Sequence, residues 1–180
     1  SLLSSDNYFK IRGAFEVIEP KDGDRLPIGY NTTIRWNTTG NITKVNIVAY
    51  STQENDPRFN YTEENPYIIV MNYTNNGNGQ TNYTWLVPDS ATNHTRIRII
   101  DSNDPEVYAE SSGNFSMIGS FNIISPNGDE SWIVDGVYNI TWFPTGSSIT
   151  EARIMYSVNG SSGPWMNISE DYGTPNDGIV

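Results

Sequence analysis

The chain of 180 residues contains no cysteine and a single histidine, His94. The absence of cysteine excludes disulfides, thiolate-ligated zinc, iron–sulfur clusters and a thiol nucleophile. One histidine also excludes a multi-histidine metal site built within this chain. These absences remove several large classes of enzyme and metalloprotein.

Basic residues are scarce as well. The 10 Lys and Arg stand against 21 Asp and Glu, which gives a formal net charge of −11. Nucleic acids and anionic membranes are bound through a basic face, so this balance argues against both as partners. No apolar run approaches the roughly 20 residues that span a bilayer, and we expect no membrane span in this segment.

The abundant residues are polar and small, with aromatics among them. The chain holds 22 Asn, 16 Thr and 18 Ser, and 12% of its residues are aromatic. Disordered chains lack that aromatic content. Aromatic and β-branched residues set among Asn, Gly, Pro and Ser favour short strands joined by turns. Because no segment shows a sustained helical period, the sequence predicts an all-β fold.

Asparagine is concentrated in the acceptor motif for N-glycosylation. Independent placement would give roughly four Asn-x-Ser/Thr motifs, whereas eleven occur, at Asn31, Asn37, Asn41, Asn60, Asn72, Asn82, Asn93, Asn114, Asn139, Asn159 and Asn167. In Asn82-Tyr83-Thr84, strand alternation turns the middle residue inward and the flanking residues outward. Two explanations stay open: the motifs are polar filler on solvent-facing strands, or they are glycosylated in an exported protein, which we favour.

The chain also contains an internal repeat. Residues 6–20 align with 112–126 at a constant offset of 106 positions, and the alignment continues through apolar positions to Trp36 and Trp142. The apolar positions are kept while the polar positions between them differ, as two copies of one sandwich unit should show.

This repeat predicts three parts of the chain. Residues 1–13 are a terminal strand of a preceding or neighbouring unit, 14–118 a first immunoglobulin-like domain, and 119–180 a second, incomplete one. Seven alternating segments in the first domain predict the strands of an immunoglobulin-like β-sandwich, with an elaborated loop at residues 51–66.

Several motifs carry a resemblance to a known family. They are SPNGDESW at residues 125–132 with ITW at 140–142, YTWLVP at 83–88, RIRIID at 96–101 and SSGNF at 111–115. They resemble the immunoglobulin-like tandem repeats of bacterial and archaeal cell-surface proteins, and are similar to a domain of the Ser/Thr-rich GPI-anchored cell-wall family of fungi. The resemblance implies wall-associated stalk, adhesion or assembly units, and it brings no catalytic residues, so we expect no enzyme.

The ends are out of register with the repeat. The first residues match the last strand of a copy, and the second copy lacks counterparts of Tyr83–Val87, Ile97–Ile99 and Phe115–Met117. Either the natural chain is longer and continues as a tandem array, or a neighbouring subunit supplies strands. In the second case the donor of a contact strand would be the segment with Tyr8, Phe9 and Ile11. The expected partners are therefore copies of this chain or adjacent repeats, with glycans as a further possibility.

One acidic segment is a weak candidate for a cation. Asp101, Asp104 and Glu106 could together hold calcium, which takes several oxygen ligands. A solvated loop between two strands is the interpretation we favour, and no other cofactor is expected.

The leading hypothesis is a non-catalytic structural module of an extracellular filament, surface layer or stalk, N-glycosylated and assembling head to tail. The alternative is a cell-surface adhesion or carbohydrate-binding module. A third hypothesis is an accessory domain beside an enzyme elsewhere in a longer chain.

Overall fold

The computed structural model describes residues 10–147 and 149–168, with the backbone of residues 174 and 175. Apart from a 3₁₀ turn at Gly160–Ser162, the regular structure of these residues is strand. The strands are β1 (Ala14–Glu19), β2 (Arg25–Pro27), β3 (Asn31–Thr39), β4 (Lys44–Ser51), β5 (Tyr67–Thr74), β6 (Gly79–Leu86), β7 (Thr92–Asp101), β8 (Tyr108–Glu110), β9 (Phe115–Ile118), β10 (Ser120–Ser125), β11 (Thr141–Thr145), β12 (Glu151–Ala152), β13 (Met155–Tyr156), β14 (Met166–Asn167) and β15 (Thr174–Pro175). Within the described residues, no helix is long and apolar enough to cross a membrane.

Strands β1 to β9 form two sheets. One has the order β1-β3-β6, and the other has the order β2-β9-β7-β4-β5 with β8 paired to β7. The β2–β9 pair is parallel, and the other pairs in these two sheets are antiparallel. Two largely antiparallel sheets around one apolar core are the arrangement of an immunoglobulin-like sandwich. The predicted all-β, immunoglobulin-like fold is confirmed.

Side-chain alternation explains which face of each sheet is buried. On β3, Ile34 and Trp36 are fully buried, and Arg35 between them points away from the core. On β7, Ile97 and Ile99 alternate in the same way. Because successive strand side chains point to opposite faces, each strand contributes one apolar row to the space between the sheets. The resulting core cluster runs from Leu26 to Met117.

One buried amide organises the polar atoms of this core. Asn75, in the connection between β5 and β6, accepts a hydrogen bond from Trp36 Nε1 at 3.0 Å. Its own amide nitrogen donates to the carbonyl of Ile42 at 2.7 Å and to Thr38 Oγ1 at 3.1 Å. A buried indole N–H needs a partner, and this side chain supplies it.

The segment predicted as an elaborated loop lies between β4 and β5. Its first residue, Ser51, ends β4, and residues 52–66 contain no strand. It is nevertheless anchored: Phe59 is fully buried, and buried Asp56 accepts hydrogen bonds from the hydroxyls of Ser51 and Thr92 and from the backbone N–H of Arg58. Burial opposes ionisation of Asp56, but these hydrogen bonds outweigh it and hold its pKa below the ordinary value.

Nine strands occur where seven were predicted. The two additional strands, β2 and β8, have three residues each. Alternation cannot be recognised over so short a segment, which is why the sequence did not indicate them.

Strands β10 and β11 repeat the pairing of β1 with β3. In β1–β3, Ala14 lies opposite Thr39, and the register shifts after Val17. In β10–β11, Ser120 lies opposite Thr145, and the register shifts after Ile123. Each of these positions is displaced by the same 106 residues, including the irregularity.

Left-handed backbone conformations recur at the same offset. Positive φ angles occur at Gly23, Gly29 and Gly40 and again at Asp129, Asp135 and Gly146. Such conformations are uncommon outside glycine, so three matched pairs indicate one repeated backbone path. The domain boundaries at 13/14 and 118/119 stay predictions.

A glycine precedes each repeated strand pair, and neighbouring atoms leave no space for a Cβ at either position. A Cβ on Gly13 would lie 2.8 Å from the carbonyl oxygen of Thr39, and one on Gly119 would lie 2.7 Å from that of Thr145. Side chains of Ile42 and Ile149, respectively, fill the remaining space at these two positions. Neither position has room for a larger residue.

Replacement of Asn75 tests the role of the buried amide. Asn75→Ala leaves the N–H of Trp36 and the carbonyl of Ile42 without this partner, and we expect the free energy of unfolding to fall by about 2–3 kcal/mol. Chemical denaturation measures the change. Asn76→Ala, at an exposed neighbouring position, is the control, and an equal effect of the two variants would contradict the assignment.

Candidate functional site

The predicted glycan acceptors lie mostly at the surface. Asn37 and Asn114 are half-buried, and the other nine are exposed, namely Asn31, Asn41, Asn60, Asn72, Asn82, Asn93, Asn139, Asn159 and Asn167. On the sheet β1-β3-β6, Asn82 lies opposite Arg35 and Asn31 opposite Leu86, on the face turned away from the core. Exposure is what an acceptor requires, and whether any acceptor carries a glycan stays a prediction.

Asn114 differs from the exposed acceptors in its hydrogen bonds. Its amide nitrogen donates to Thr52 Oγ1 at 2.9 Å, and its oxygen accepts from Arg96 Nε at 3.1 Å. Both ends of the side chain are therefore engaged within the fold.

Of the predicted contact strand, Tyr8 and Phe9 lie outside the described residues. Ile11 is 89% exposed. Its neighbour Arg12 forms ion pairs with Asp104, at 3.0 Å, and with Glu106. This segment is thus tied through Arg12 to the loop after β7.

The same ion pairs occupy the candidate cation site. Asp104 and Glu106 face Arg12, and Asp101 accepts a hydrogen bond from the backbone N–H of Asn103 at 2.9 Å. In the part of the chain that the structure describes, no group of three or more His, Cys, Asp or Glu residues is placed to hold a metal ion. The calcium hypothesis for this loop stays a prediction.

A stacked cation lies on the outer face of the larger sheet. The Arg98 guanidinium is 5.2 Å from the ring centre of Tyr50 and 4.6 Å from that of Tyr108. Glu110 accepts hydrogen bonds from the Tyr50 hydroxyl at 2.7 Å and from Arg98 Nε at 2.8 Å. Glu63, from the loop before β5, also pairs with Arg98. These contacts join β4, β7, β8 and that loop.

Arg98, Tyr50, Tyr108, Glu110 and Glu63 form what we call the Arg98 cluster, in which neighbouring groups stabilise each charge. Burial and the hydrogen bond to Glu110 raise the pKa of Tyr50 to about 12. Burial opposes the charge of Glu110, but hydrogen bonds from Tyr50 and Arg98 outweigh it and hold its pKa below the ordinary 4.5. Burial also opposes the charge of Arg98, and its bonds to Glu63 and Glu110 raise its pKa nonetheless. A carboxylate held ionised by its neighbours is a structural tie and a poor proton donor at neutral pH.

The second repeat exposes positions that are buried in the first repeat. Ile28 is 1% exposed, whereas Val134 at the equivalent position is 86% exposed. Leu26 is 9% exposed, and its equivalent Trp132 is 44% exposed. A separate cavity of about 150 Å³ lies against β10 and β11 and is lined by Phe121, Ile123, Ile140, Trp142, Ala152 and Met155 among others. Phe121 and Ile123 are 47% and 57% exposed, whereas Trp142 and Ala152 are buried.

A separate cleft lies where the edges of the two sheets approach each other. It has a volume of about 540 Å³ and is lined by Tyr67 and Ile69 of β5, Tyr83 and Trp85 of β6, Pro88, Asp89, and Thr145 with Gly146. The carboxylate of Asp89 accepts hydrogen bonds from the backbone N–H of Ser147 at 2.9 and 3.0 Å. Residues of both repeats therefore line one cleft.

Sequence reasoning identified the core tryptophans but neither this cleft nor the Arg98 cluster. Alternation predicts Trp36, Trp85 and Trp142 as buried, and all three are. Alternation also turns Arg98 outward, but its partners come from distant strands. Charge patterning within one strand carries no signal for a contact of that kind.

The pH dependence of stability tests whether the ionised Glu110 stabilises the fold through its hydrogen bonds from Tyr50 and Arg98. Its pKa is lowered on folding, so its contribution is present above the unfolded pKa and is lost as the pH falls through the folded pKa. We expect Glu110→Gln to lower the free energy of unfolding at pH 7 by about 1–2 kcal/mol and to make its decline below pH 4.5 shallower. Urea titrations across this pH range give both quantities. Glu64→Gln, at an exposed position, is the control, and a wild-type acid decline in Glu110→Gln would refute the role of the tie.

Comparisons with known proteins assign the chain to no family. No protein-family model matches the chain, and no curated protein matches it. Among solved structures, the chain is similar to the fibronectin(III)-like modules of Clostridium thermocellum CbhA, with 12% sequence identity and a TM-score of 0.31 over 78% of this chain. The match covers 66% of that structure's chain, just under two thirds of its length. A TM-score this low carries no conclusion about function, and the functional assignment depends on the geometry described above.

Proposed function

We propose that this chain is a glycosylated, non-catalytic structural module of an extracellular filament, surface layer or stalk. The observation that carries the proposal is the repeated strand pair, since β10–β11 reproduces the register of β1–β3 at a constant offset. A chain that repeats one structural unit, with the apolar positions kept and the polar ones varied, is suited to building an array.

Three carboxylates that are engaged within the fold support a non-catalytic role. Glu110, Asp56 and Asp104 each accept hydrogen bonds from donors within the fold. A general acid or base must be free to exchange a proton with a substrate. These carboxylates instead hold strands and loops together.

Assembly is proposed to proceed head to tail by strand donation. Residues 8–12 match the last strand of the first repeat, β9, at the offset of 106. In the first repeat β9 lies beside β2 in parallel, with Arg25 opposite Ser116 and Leu26 opposite Met117. The donated segment then takes the place of β9 beside residues 131–133 of another copy.

The offset fixes the register of this contact. Lys10 lies opposite Ser131, and Ile11 lies opposite Trp132. Ile11 is exposed in the chain by itself and occupies the position of Met117, which is buried in the first repeat. The donated strand thus covers part of the apolar face beside Trp132.

Because the chain contains no cysteine, every disulfide must join introduced cysteines, and disulfide trapping therefore tests this register. We expect the full chain carrying Lys10→Cys and Ser131→Cys to form disulfide-linked dimers and higher oligomers on oxidation, seen on non-reducing gels and reversed by reductant. Arg25→Cys with Ser116→Cys is the internal positive control, since these positions face each other within one chain. Lys10→Cys with Asn127→Cys, four positions away, is the out-of-register control.

Two outcomes distinguish a wrong register from a wrong proposal of strand donation. If Lys10→Cys with Ser131→Cys cross-links no better than the out-of-register pair, while light scattering shows that the wild-type chain self-associates, the register is wrong and assembly stands. If the chain stays monomeric at all concentrations and no pair cross-links, strand donation between copies is wrong.

Glycosylation is proposed at exposed acceptors and not at Asn114, whose amide nitrogen is engaged by Thr52. Peptide-level mass spectrometry of protein from its native source, before and after deglycosylation, measures occupancy. We expect glycan at Asn31 and Asn82 and an unmodified Asn114, and we expect Thr52→Val to raise occupancy at Asn114. Unmodified peptides at all eleven acceptors would rule out the glycosylated form of the proposal.

A further inference from the structure

Two arginines differ from the others in having no partner within the described residues. Five of the seven arginines bond to other side chains, namely Arg12, Arg35, Arg96, Arg98 and Arg153. Arg25 and Arg58 form neither an ion pair nor a side-chain hydrogen bond in the part of the chain that the structure describes. An exposed arginine without a partner is ordinary by itself, so the position of the two relative to each other decides what they can do.

Both arginines line one cleft, which we call the Arg25–Arg58 cleft. It lies where β2, β9 and the start of β7 meet the loop before β5, and its volume is about 520 Å³. That volume is within the usual range for small-molecule sites. None of the described residues that line the cleft is Asp or Glu. The cleft therefore concentrates positive charge on a chain whose net charge is −11.

Two carboxylates adjacent to these arginines in the sequence are already engaged elsewhere. Asp24 accepts a hydrogen bond from the backbone N–H of Lys21 at 2.7 Å. Asp56 is buried and accepts four hydrogen bonds within the fold. Neither forms an ion pair with Arg25 or Arg58. Both guanidinium groups therefore keep their donors available for a bound anion.

A carboxylate is the anion that suits this cleft best. The planar guanidinium donates two parallel hydrogen bonds to a carboxylate or to a phosphate. The acidic chain repels an approaching anion more strongly the more charge that anion carries, so a singly charged carboxylate is favoured over a phosphate dianion or a polyanion. Half-buried Ser116 and exposed Asn93 add a hydroxyl and an amide to the lining. These two groups favour a ligand whose body beside the carboxylate is polar.

We propose that the Arg25–Arg58 cleft binds a small, polar, carboxylate-bearing ligand. The guanidinium groups of Arg25 and Arg58 both donate to its carboxylate, and Asn93 and Ser116 contact its polar body. Free organic acids and the uronic acid units of glycans share this chemistry. This inference does not depend on strand donation.

Nuclear magnetic resonance of the ¹⁵N-labelled full chain tests the proposal, with protein produced without glycans so that the acceptor Asn93 is unmodified. The probes are acetate and methyl β-D-glucuronide, and methyl β-D-glucopyranoside is the neutral counterpart of the second. At constant ionic strength, we expect both carboxylates to shift the backbone amides of Arg58, Asn93 and Ser116 saturably, and the neutral glucoside to leave them unmoved. Tighter binding of the glucuronide than of acetate would indicate a uronic acid unit, and equal binding a free acid.

Three variants test whether the two guanidinium groups hold the ligand. Arg25→Gln and Arg58→Gln should each weaken carboxylate binding about tenfold, because each removes a charge-assisted hydrogen bond. Both positions are exposed, so we expect the variants to fold. Arg35→Gln is the matched control, since it removes the same charge from an arginine that pairs with Glu19 and does not line the cleft. It should bind as the wild type does.

Four results would overturn the proposal. They are the absence of a shift with either carboxylate, an equal shift with chloride, equal or tighter binding of inorganic phosphate, and an equal loss of binding in Arg35→Gln and the two test variants. If no carboxylate binds and Arg58→Gln abolishes self-association in light scattering, the cleft is instead an interface between copies of the chain.

Discussion

The hydrogen bond from the buried Trp36 indole to Asn75 is the interaction on which the first sandwich most depends. Trp36 contributes the largest fully buried side chain of the core, and its N–H cannot reach water. Asn75 meets that need and also donates to the carbonyl of Ile42. One amide in the connection between the two sheets therefore fixes where β5 ends and β6 begins. Apolar burial supplies most of the driving force, and this polar contact selects one arrangement of the strands.

The same requirement accounts for the outer face of the larger sheet. The Arg98 side chain is only 15% exposed and cannot keep full hydration. It contacts the rings of Tyr50 and Tyr108 and pairs with Glu110. Cation–π contact and charge-assisted hydrogen bonds replace the lost water. Trp85 is the exception, because its donor is buried and has no partner among the described residues. Of the two buried indoles in this core, the unpaired one is the one that lines an open cleft.

Sequence patterns predicted the parts of the fold that depend on local periodicity. The alternation around Ile34 and Trp36 predicted β3, and the offset of 106 predicted a second strand pair, which the structure contains as β10–β11. Patterns did not predict β8, because its three residues are too few to show alternation. They did not predict the anchoring of Asp56 by Thr92 either, because these two residues lie 36 positions apart in the chain. The same distinction between local pattern and long-range contact applies to the candidate sites. Acceptor motifs can be read from consecutive residues, whereas the cleft exists only because the edges of two sheets come together.

The exposed apolar face of β10–β11 is the physical basis of the proposed assembly. A strand pair buries an apolar face only when a second layer covers it. Phe121 and Ile123 of β10 are 47% and 57% exposed, whereas their equivalents Phe15 and Val17 pack against the first core. Apolar surface left open in this way marks a contact with another surface. In the first repeat the cover comes from β2, β9 and β7, and β9 has a sequence equivalent at residues 8–12. Because donor and acceptor are both parts of the repeated unit, a contact made once between two units can be made again by the next. In the proposed assembly, a heterologous contact of this kind extends into a linear array, and we expect such repetition to give durability to a protein without disulfides.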